Sequence, residues 1–138
     1  MVFPSLEFRN NIMQKILFLL LFAVFFGNTA NAQTSLLDSN AFEKMLKTDK
    51  SVQLIDVRMP GEFAEGHIEG AVNHDFYAAD FAQKIAKLDK SRTVMVYCAA
   101  GGRSATAAEQ LKKLGFTKVY DLDGGMGTWK KAGKKTVR

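Results

Sequence analysis

Between Val52 and Leu122 the chain alternates between two apolar periods, and that alternation restricts its fold more than any other feature. Val52-Gln53-Leu54-Ile55-Asp56-Val57, Ala71-Val72-Asn73, Thr93 to Tyr97 and Lys118 to Leu122 are short apolar runs that read as strands. A further short strand is expected around Ser35 to Leu37. Helical spacing fills the intervals. Phe42, Met45 and Leu46 share one face behind Asn40 and Glu43, which resemble a capping box. Tyr77, Phe81, Ile85 and Leu88 recur at helical spacing with Lys84 and Lys87 turned outward. Ala107, Leu111 and Leu114 do the same within Ser104 to Leu114, with Gly115 placed to supply the C′ residue. A last short helix is expected over 127–132, with Trp129 packing inward. Strands alternating with helices make βαβ units, so the expected fold is α/β, a mostly parallel central sheet with helices on both faces. Ligands in such folds bind beyond the C-terminal ends of the strands, where Asp56 and Cys98 both fall.

The first 32 residues stand apart from this pattern. Lys15 precedes an 11-residue apolar run, Ile16 to Phe26, which is followed by Gly27-Asn28-Thr29 and the small-residue site Ala30-Asn31-Ala32. This is the arrangement of a secretory signal peptide, and the run is short for a membrane span, although an uncleaved anchor is the alternative. Cleavage after Ala32 leaves residues 33–138 as one domain beginning at Gln33, exported to the periplasm and without stable membrane association. Glu7 and Pro4 suit a leader poorly, so either Met1 or Met13 serves as the start. The leader holds Arg9, Lys15 and Glu7, which takes the net charge from +5 for the whole chain to +4 for the domain. Much of that excess lies in Lys130, Lys131, Lys134, Lys135 and Arg138. Export argues against nucleic acid as the partner of this basic tail, and a solvated helix end is expected instead. The chain is expected to act as a monomer.

Cys98 is the only cysteine in the chain. Export to an oxidising compartment with no partner thiol leaves it either inert and buried or kept for chemistry. Its setting decides for chemistry. Val94-Met95-Val96-Tyr97 leads in as a buried strand, and Ala99-Ala100-Gly101-Gly102-Arg103-Ser104 leads out into a helix. Successive N–H groups of such a loop form an anion nest, and the helix N-terminus adds partial positive charge. Both favour thiolate, the reactive form. Gly101 and Gly102 permit the dihedrals of a tight cradle, and Arg103 brings a permanent cation. His67 and His74 lie far from Cys98 in sequence without ligand spacing, so no metal site is expected and no cofactor is called for.

Four segments in order give these residues a family resemblance: Leu54 to Arg58, Glu62 to Asn73 with its Gly66-His67-Ile68-Glu69-Gly70-Ala71 turn, Tyr97 to Ser104, and Gly115 to Gly125 with Trp129. Together they span nearly all of residues 33–138. The chain resembles single-domain rhodaneses, and most closely the small exported thiosulfate sulfurtransferases of bacteria. The resemblance implies a rhodanese-like fold and a double displacement. Cys98 takes the outer sulfur of a small anionic donor such as thiosulfate, holds it as a persulfide, and yields it to cyanide or a thiol. It implies that Ala99, Ala100, Gly101, Gly102, Arg103 and Ser104 bind the substrate. Arg103 either orients the sulfonate or braces the loop. Asp56 and Arg58 are expected to support the site, and for them, Glu62 and His67, a turn or ion-pair role is favoured over acid–base catalysis. Two departures stand out: the alanines at 99 and 100, where many relatives carry polar residues, and Glu69 where many carry proline. Phosphatases and arsenate reductases of the same superfamily need a longer loop than the four residues between Cys98 and Arg103. A periplasmic sulfur carrier or polysulfide-binding module, delivering persulfide to a partner, would use the same residues and is the alternative function.

Overall fold

The computed structural model describes residues 33–138 and, before them, residues 10, 11 and 13–15. The apolar run Ile16 to Phe26 and the small-residue site Ala30 to Ala32 of the expected leader lie outside the described residues. No described helix is long and apolar enough to cross a membrane. The chain separates into two units, Met1–Asn31 and Ala32–Arg138. In the second, β1 (Gln33–Leu37), α1 (Ser39–Thr48), β2 (Gln53–Asp56), α2 (Pro60–Glu65) and β3 (Val72–Asn73) are followed by α3 (Phe81–Ala86), β4 (Val94–Tyr97), α4 (Gly102–Lys113), β5 (Lys118–Leu122) and α5 (Gly125–Lys131).

The strands form one sheet in the order β1-β5-β4-β2-β3, and every pairing is parallel. A parallel sheet must be covered on both faces, which is why all four residues of β4 are buried. Its side chains alternate between two cores. Val94, Val96 and Cys98 join Ile55, Val57 and Val119 beneath Phe81 and Ile85 of α3 and Ala107, Ala108 and Leu111 of α4. Met95 and Tyr97 join Leu54 and Leu122 beneath Phe42 of α1 and Met126 and Trp129 of α5. Each fully buried apolar side chain contributes about 1.5–3 kcal/mol relative to exposure. Trp129 closes the second core, meeting Phe42 edge-on with ring centroids 6.2 Å apart and donating from Nε1 to the Lys135 carbonyl at 3.0 Å.

Four local differences from the sequence reading have physical reasons. The cap of α1 is Asp38, whose carboxylate accepts from the Ala41 N–H at 2.8 Å, an earlier and stronger acceptor than the Asn40–Glu43 pair. Tyr77 does not share the buried face of Phe81: the Asp75 carboxylate accepts from the Tyr77 N–H at 3.0 Å, α3 starts only at Phe81, and the Tyr77 ring is 68% exposed. Helix α2, unread in the sequence, begins with Pro60 at its first turn, and the Glu62 carboxylate accepts from the Met59 N–H at 3.0 Å. The helix end is solvated as expected, Lys130 and Lys131 being exposed, but the chain beyond it is tied down. His67 and Val137 exchange backbone hydrogen bonds of 2.9 Å, and Lys134 pairs with Glu43 at 2.8 Å.

Candidate active site

Strands β2 and β4 are neighbours whose connections leave in opposite directions, β2 toward β3 and β4 toward β5. That divergence is the topological switch point of the sheet, the place where open α/β folds keep their ligand crevice. Cys98 follows β4 directly, and its thiol lies at the base of the loop that opens α4. The cysteine is 1% exposed. Gly101 N–H donates to Sγ at 3.0 Å, and the Ser104 hydroxyl donates to it from 3.4 Å. Burial alone would push the thiol up. The Ser104 hydroxyl and the N–H groups of Ser104, Gly101 and Ala100 outweigh it, so the Cys98 thiol sits below its ordinary value.

Two features give the loop this shape. Gly101 has φ +109°, a left-handed conformation that a side chain would strain, whereas Gly102 is an ordinary first helical residue with nothing within 4 Å of a built Cβ. Only one of the two expected glycines is therefore required by backbone geometry. The second feature comes from α5. Met126 N–H donates to the Cys98 carbonyl at 2.8 Å and Gly127 N–H to the Ala99 carbonyl at 3.0 Å. The orphan donors of a helix N-terminus thus hold the loop's carbonyls on one side, leaving its N–H groups free to face the sulfur. Gly125 makes that approach possible, because a Cβ there would lie 2.3 Å from the Cys98 carbonyl oxygen.

Arg103 reaches across the crevice rather than into the cradle. Its Nη1 and Nη2 hold the two Glu62 carboxylate oxygens at 2.8 and 3.0 Å, a bidentate fork joining α4 to α2. Hydrogen bonding to Arg103 holds the Glu62 carboxyl down to about 2, and Glu62 in turn raises Arg103 further. The Arg103 guanidinium also lies 5.9 Å from the centre of the Tyr77 ring. The Arg103 fork is thus filled by Glu62.

Asp56 and Arg58 form a second, separate pair. Arg58 Nη2 lies 2.7 Å from Asp56 Oδ2 and 2.8 Å from the Gly66 carbonyl oxygen, and Nε lies 3.0 Å from both carboxylate oxygens. Both residues are buried. Asp56 is in register with Tyr97, so its side chain shares the Tyr97 face of the sheet, while Cys98 belongs to the opposite core. The strand end borders the active-site loop, but the carboxylate spans β2 and the Gly66 turn. The Tyr97 hydroxyl, accepting from the Ile68 N–H at 3.0 Å, completes this support. His67 stacks on Phe63 with ring centroids 3.7 Å apart.

One residue of the site was not singled out in the sequence. Asp121, next to last in β5, is 1% exposed, and its Oδ1 is buried with no hydrogen-bond partner among the described residues. Burial pushes its carboxyl up to about 6, and the charge of Asp123 adds to it. The available signal was the alternation of β5, which puts Asp121 on the face of Val119, inside a sheet covered on both sides.

Comparison with known proteins gives the family. The family model for the rhodanese-like domain matches residues 38–132. A thiosulfate sulfurtransferase GlpE of Shewanella oneidensis is 41% identical over 83 residues, 60% of this chain and 80% of that protein. A sulfurtransferase of Allochromatium vinosum is 31% identical over 101 residues, 73% of this chain and 92% of that protein. Among solved structures, the rhodanese-related protein of Thermoplasma volcanium superposes with a TM-score of 0.66 at 28% identity, covering 76% of this chain and 98% of that one.

Proposed function

The chain belongs to the rhodanese-like domain family, and from that premise we propose that it is a thiosulfate sulfurtransferase working through a persulfide on Cys98. The observation that carries the reading is the Cys98 sulfur itself, held by the Gly101 N–H and the Ser104 hydroxyl, which lower its thiol below the ordinary value. In the first step the thiolate attacks the outer sulfur of thiosulfate. A sulfur–sulfur bond to Cys98 forms, the donor's own sulfur–sulfur bond breaks, and sulfite leaves with the electron pair. In the second step cyanide or a thiolate attacks the outer persulfide sulfur, and Cys98 leaves as thiolate. The negative charge that resides on sulfur in each state is stabilised by donors already in place, without reorganisation. Because Glu62 occupies the Arg103 fork, the loop N–H groups bear most of the work of attracting the anionic donor. We place the reaction in the periplasm, after cleavage behind Ala32.

Intact-mass measurement after incubation with thiosulfate tests the reading. The wild type is expected to gain one sulfur atom and to lose it on addition of cyanide, with thiocyanate formed in equal amount. Cys98→Ser is expected to gain nothing, because a hydroxyl cannot form the persulfide. A wild type that loads but keeps its sulfur in cyanide would be a carrier, and a Cys98→Ser protein that still gains sulfur would remove Cys98 as the nucleophile.

A further inference from the structure

Two large apolar side chains stand in water beside the crevice of Cys98, and the sulfur-transfer steps do not use them. Met59 is 51% exposed and Tyr77 68% exposed. Both are held in place through the backbone. Met59 caps α2, where its N–H donates to Glu62 Oε2 at 3.0 Å. Tyr77 follows Phe76, whose N–H donates to the Val57 carbonyl at 3.1 Å and whose ring packs against the core that holds Val57 and Cys98. The Asp75 carboxylate accepts from the Tyr77 N–H, and the Phe76 and Tyr77 rings meet edge-on with centroids 5.5 Å apart.

The two exposed side chains belong to one continuous series of contacts. Met59 holds Glu62, Glu62 fills the fork of Arg103, and the Arg103 guanidinium lies 5.9 Å from the centre of the Tyr77 ring. The series crosses the crevice with an ion pair in its middle and an apolar side chain at each end. The pair is neutral as a whole, so this rim offers apolar surface rather than a net charge. Apolar surface kept in water at the mouth of a site is surface that a ligand can remove from water. Cyanide and sulfite have no apolar body and gain nothing from it. Cys98 is 1% exposed, so the body of any acceptor larger than cyanide stays at the mouth while its sulfur enters.

We propose that Met59 and Tyr77 determine acceptor specificity, holding the uncharged apolar body of an organic thiol while its sulfur discharges Cys98. The acceptor thiolate attacks the outer persulfide sulfur. A sulfur–sulfur bond forms on the acceptor, the bond to Cys98 breaks, and Cys98 keeps the electron pair as thiolate. The acceptor leaves as a persulfide, and no outside oxidant or reductant takes part.

The inference rests on the Cys98 persulfide of the proposed function, and its test separates the two. Cys98 is loaded with thiosulfate in the full chain and excess donor is removed. Discharge by cyanide, 2-mercaptoethanol and benzyl mercaptan is then followed by intact mass in the wild type, Tyr77→Ala, Met59→Ala, the double variant and Tyr77→Phe. The two thiols are of similar acidity and differ in the apolar ring. At equal thiolate concentration, benzyl mercaptan is expected to discharge the wild type roughly tenfold faster than 2-mercaptoethanol. That ratio is expected to fall in each alanine variant, to fall furthest in the double variant and to persist in Tyr77→Phe, which keeps the ring. Discharge by cyanide is expected to stay within about twofold of the wild type throughout. A wild-type ratio near one, a ratio that survives both alanine substitutions, or an equal loss with cyanide would overturn the proposal. If thiosulfate leaves no sulfur on Cys98, the persulfide reading fails by itself and alkylation decides the rim. The rate ratio of N-benzyliodoacetamide to iodoacetamide at Cys98 is then expected to exceed that for free cysteine roughly fivefold and to lose the excess in the alanine variants. A ratio no higher than that of free cysteine overturns the proposal there too.

Discussion

At the scale of single residues, the site is two ion pairs and one sulfur, and the pairs differ in what they hold. Asp56–Arg58 is buried and completed by the Gly66 carbonyl, so it fixes the turn behind the site. Glu62–Arg103 is partly exposed and bridges α2 and α4 across the crevice. Lysine at position 103 keeps the charge but loses the planar fork that matches a carboxylate. Arg103→Lys is therefore expected to load sulfur at high donor concentration while transfer efficiency falls roughly tenfold, equivalent to about 1.4 kcal/mol. Glu62→Gln should lower it in the same direction, since it opens the same brace. Steady-state kinetics on both variants, with circular dichroism to confirm folding, checks this. A full effect in Arg103→Lys with none in Glu62→Gln would show that Arg103 acts on the donor directly. The pair has its own pH signature. The Glu62 carboxyl is depressed to about 2, so its contribution to stability is complete above the ordinary carboxylate range and is lost as pH falls from there through about 2.

At the scale of elements, the loop between β4 and α4 owes its form to α5, which is distant in sequence. The Met126 and Gly127 N–H groups hold the Cys98 and Ala99 carbonyls, and Gly125 admits the two segments to contact. Gly125→Ala would drive a Cβ to 2.3 Å from the Cys98 oxygen in a residue already at φ +60°, so backbone must move. It is expected to destabilise by roughly 2–4 kcal/mol, by overpacking and left-handed strain together, and to raise the alkylation inflection of Cys98 as the cradle loosens. Gly102→Ala meets open space at an ordinary helical position and is expected to be neutral or slightly stabilising. Chemical denaturation of both variants checks the contrast; equal losses would mean that the α5 contact does not shape the loop. The elements were legible in the sequence where periodicity was strong: β4 with its continuous apolar run, α4 with Ala107, Leu111 and Leu114, and the Cys98 loop with its strand before and helix after. Legibility ended where tertiary contacts choose among local options. The cap at Asp38 competed with Asn40, the Asp75 turn delayed α3 past Tyr77, and α2 is too short to show a period. The partner of Arg103 lies 41 residues away, and Asp121 looks like an ordinary polar residue of a half-exposed strand until the sheet is known to be covered on both faces.

At the scale of the whole molecule, the question is where the folded domain begins. All of the apolar core of the Ala32–Arg138 unit lies between Phe42 and Trp129, with β1 added at one edge of the sheet by five rungs of pairing from Gln33↔Lys118 to Leu37↔Leu122. The C-terminal tail returns to the body through His67 and Val137. A cut behind Ala32 would leave every one of those rungs in place, and Ala30-Asn31-Ala32 offers the small residues that a signal peptidase selects. We therefore propose that the chain is exported, begins at Gln33 once cut and remains in solution. Intact mass and N-terminal sequencing of protein recovered from the periplasm check this, with the cytoplasmic fraction as the control. A full-length chain recovered with the membrane would show that Ile16 to Phe26 acts as an anchor, and a shorter chain starting within β1 would show that the edge strand is dispensable. Processing at Gln33 would place the single unpaired thiol of the molecule in an oxidising compartment. There the 1% exposure of Cys98 and its tight loop become a protection as well as a means of catalysis, since a buried sulfur admits a small sulfur donor far more readily than a second protein thiol.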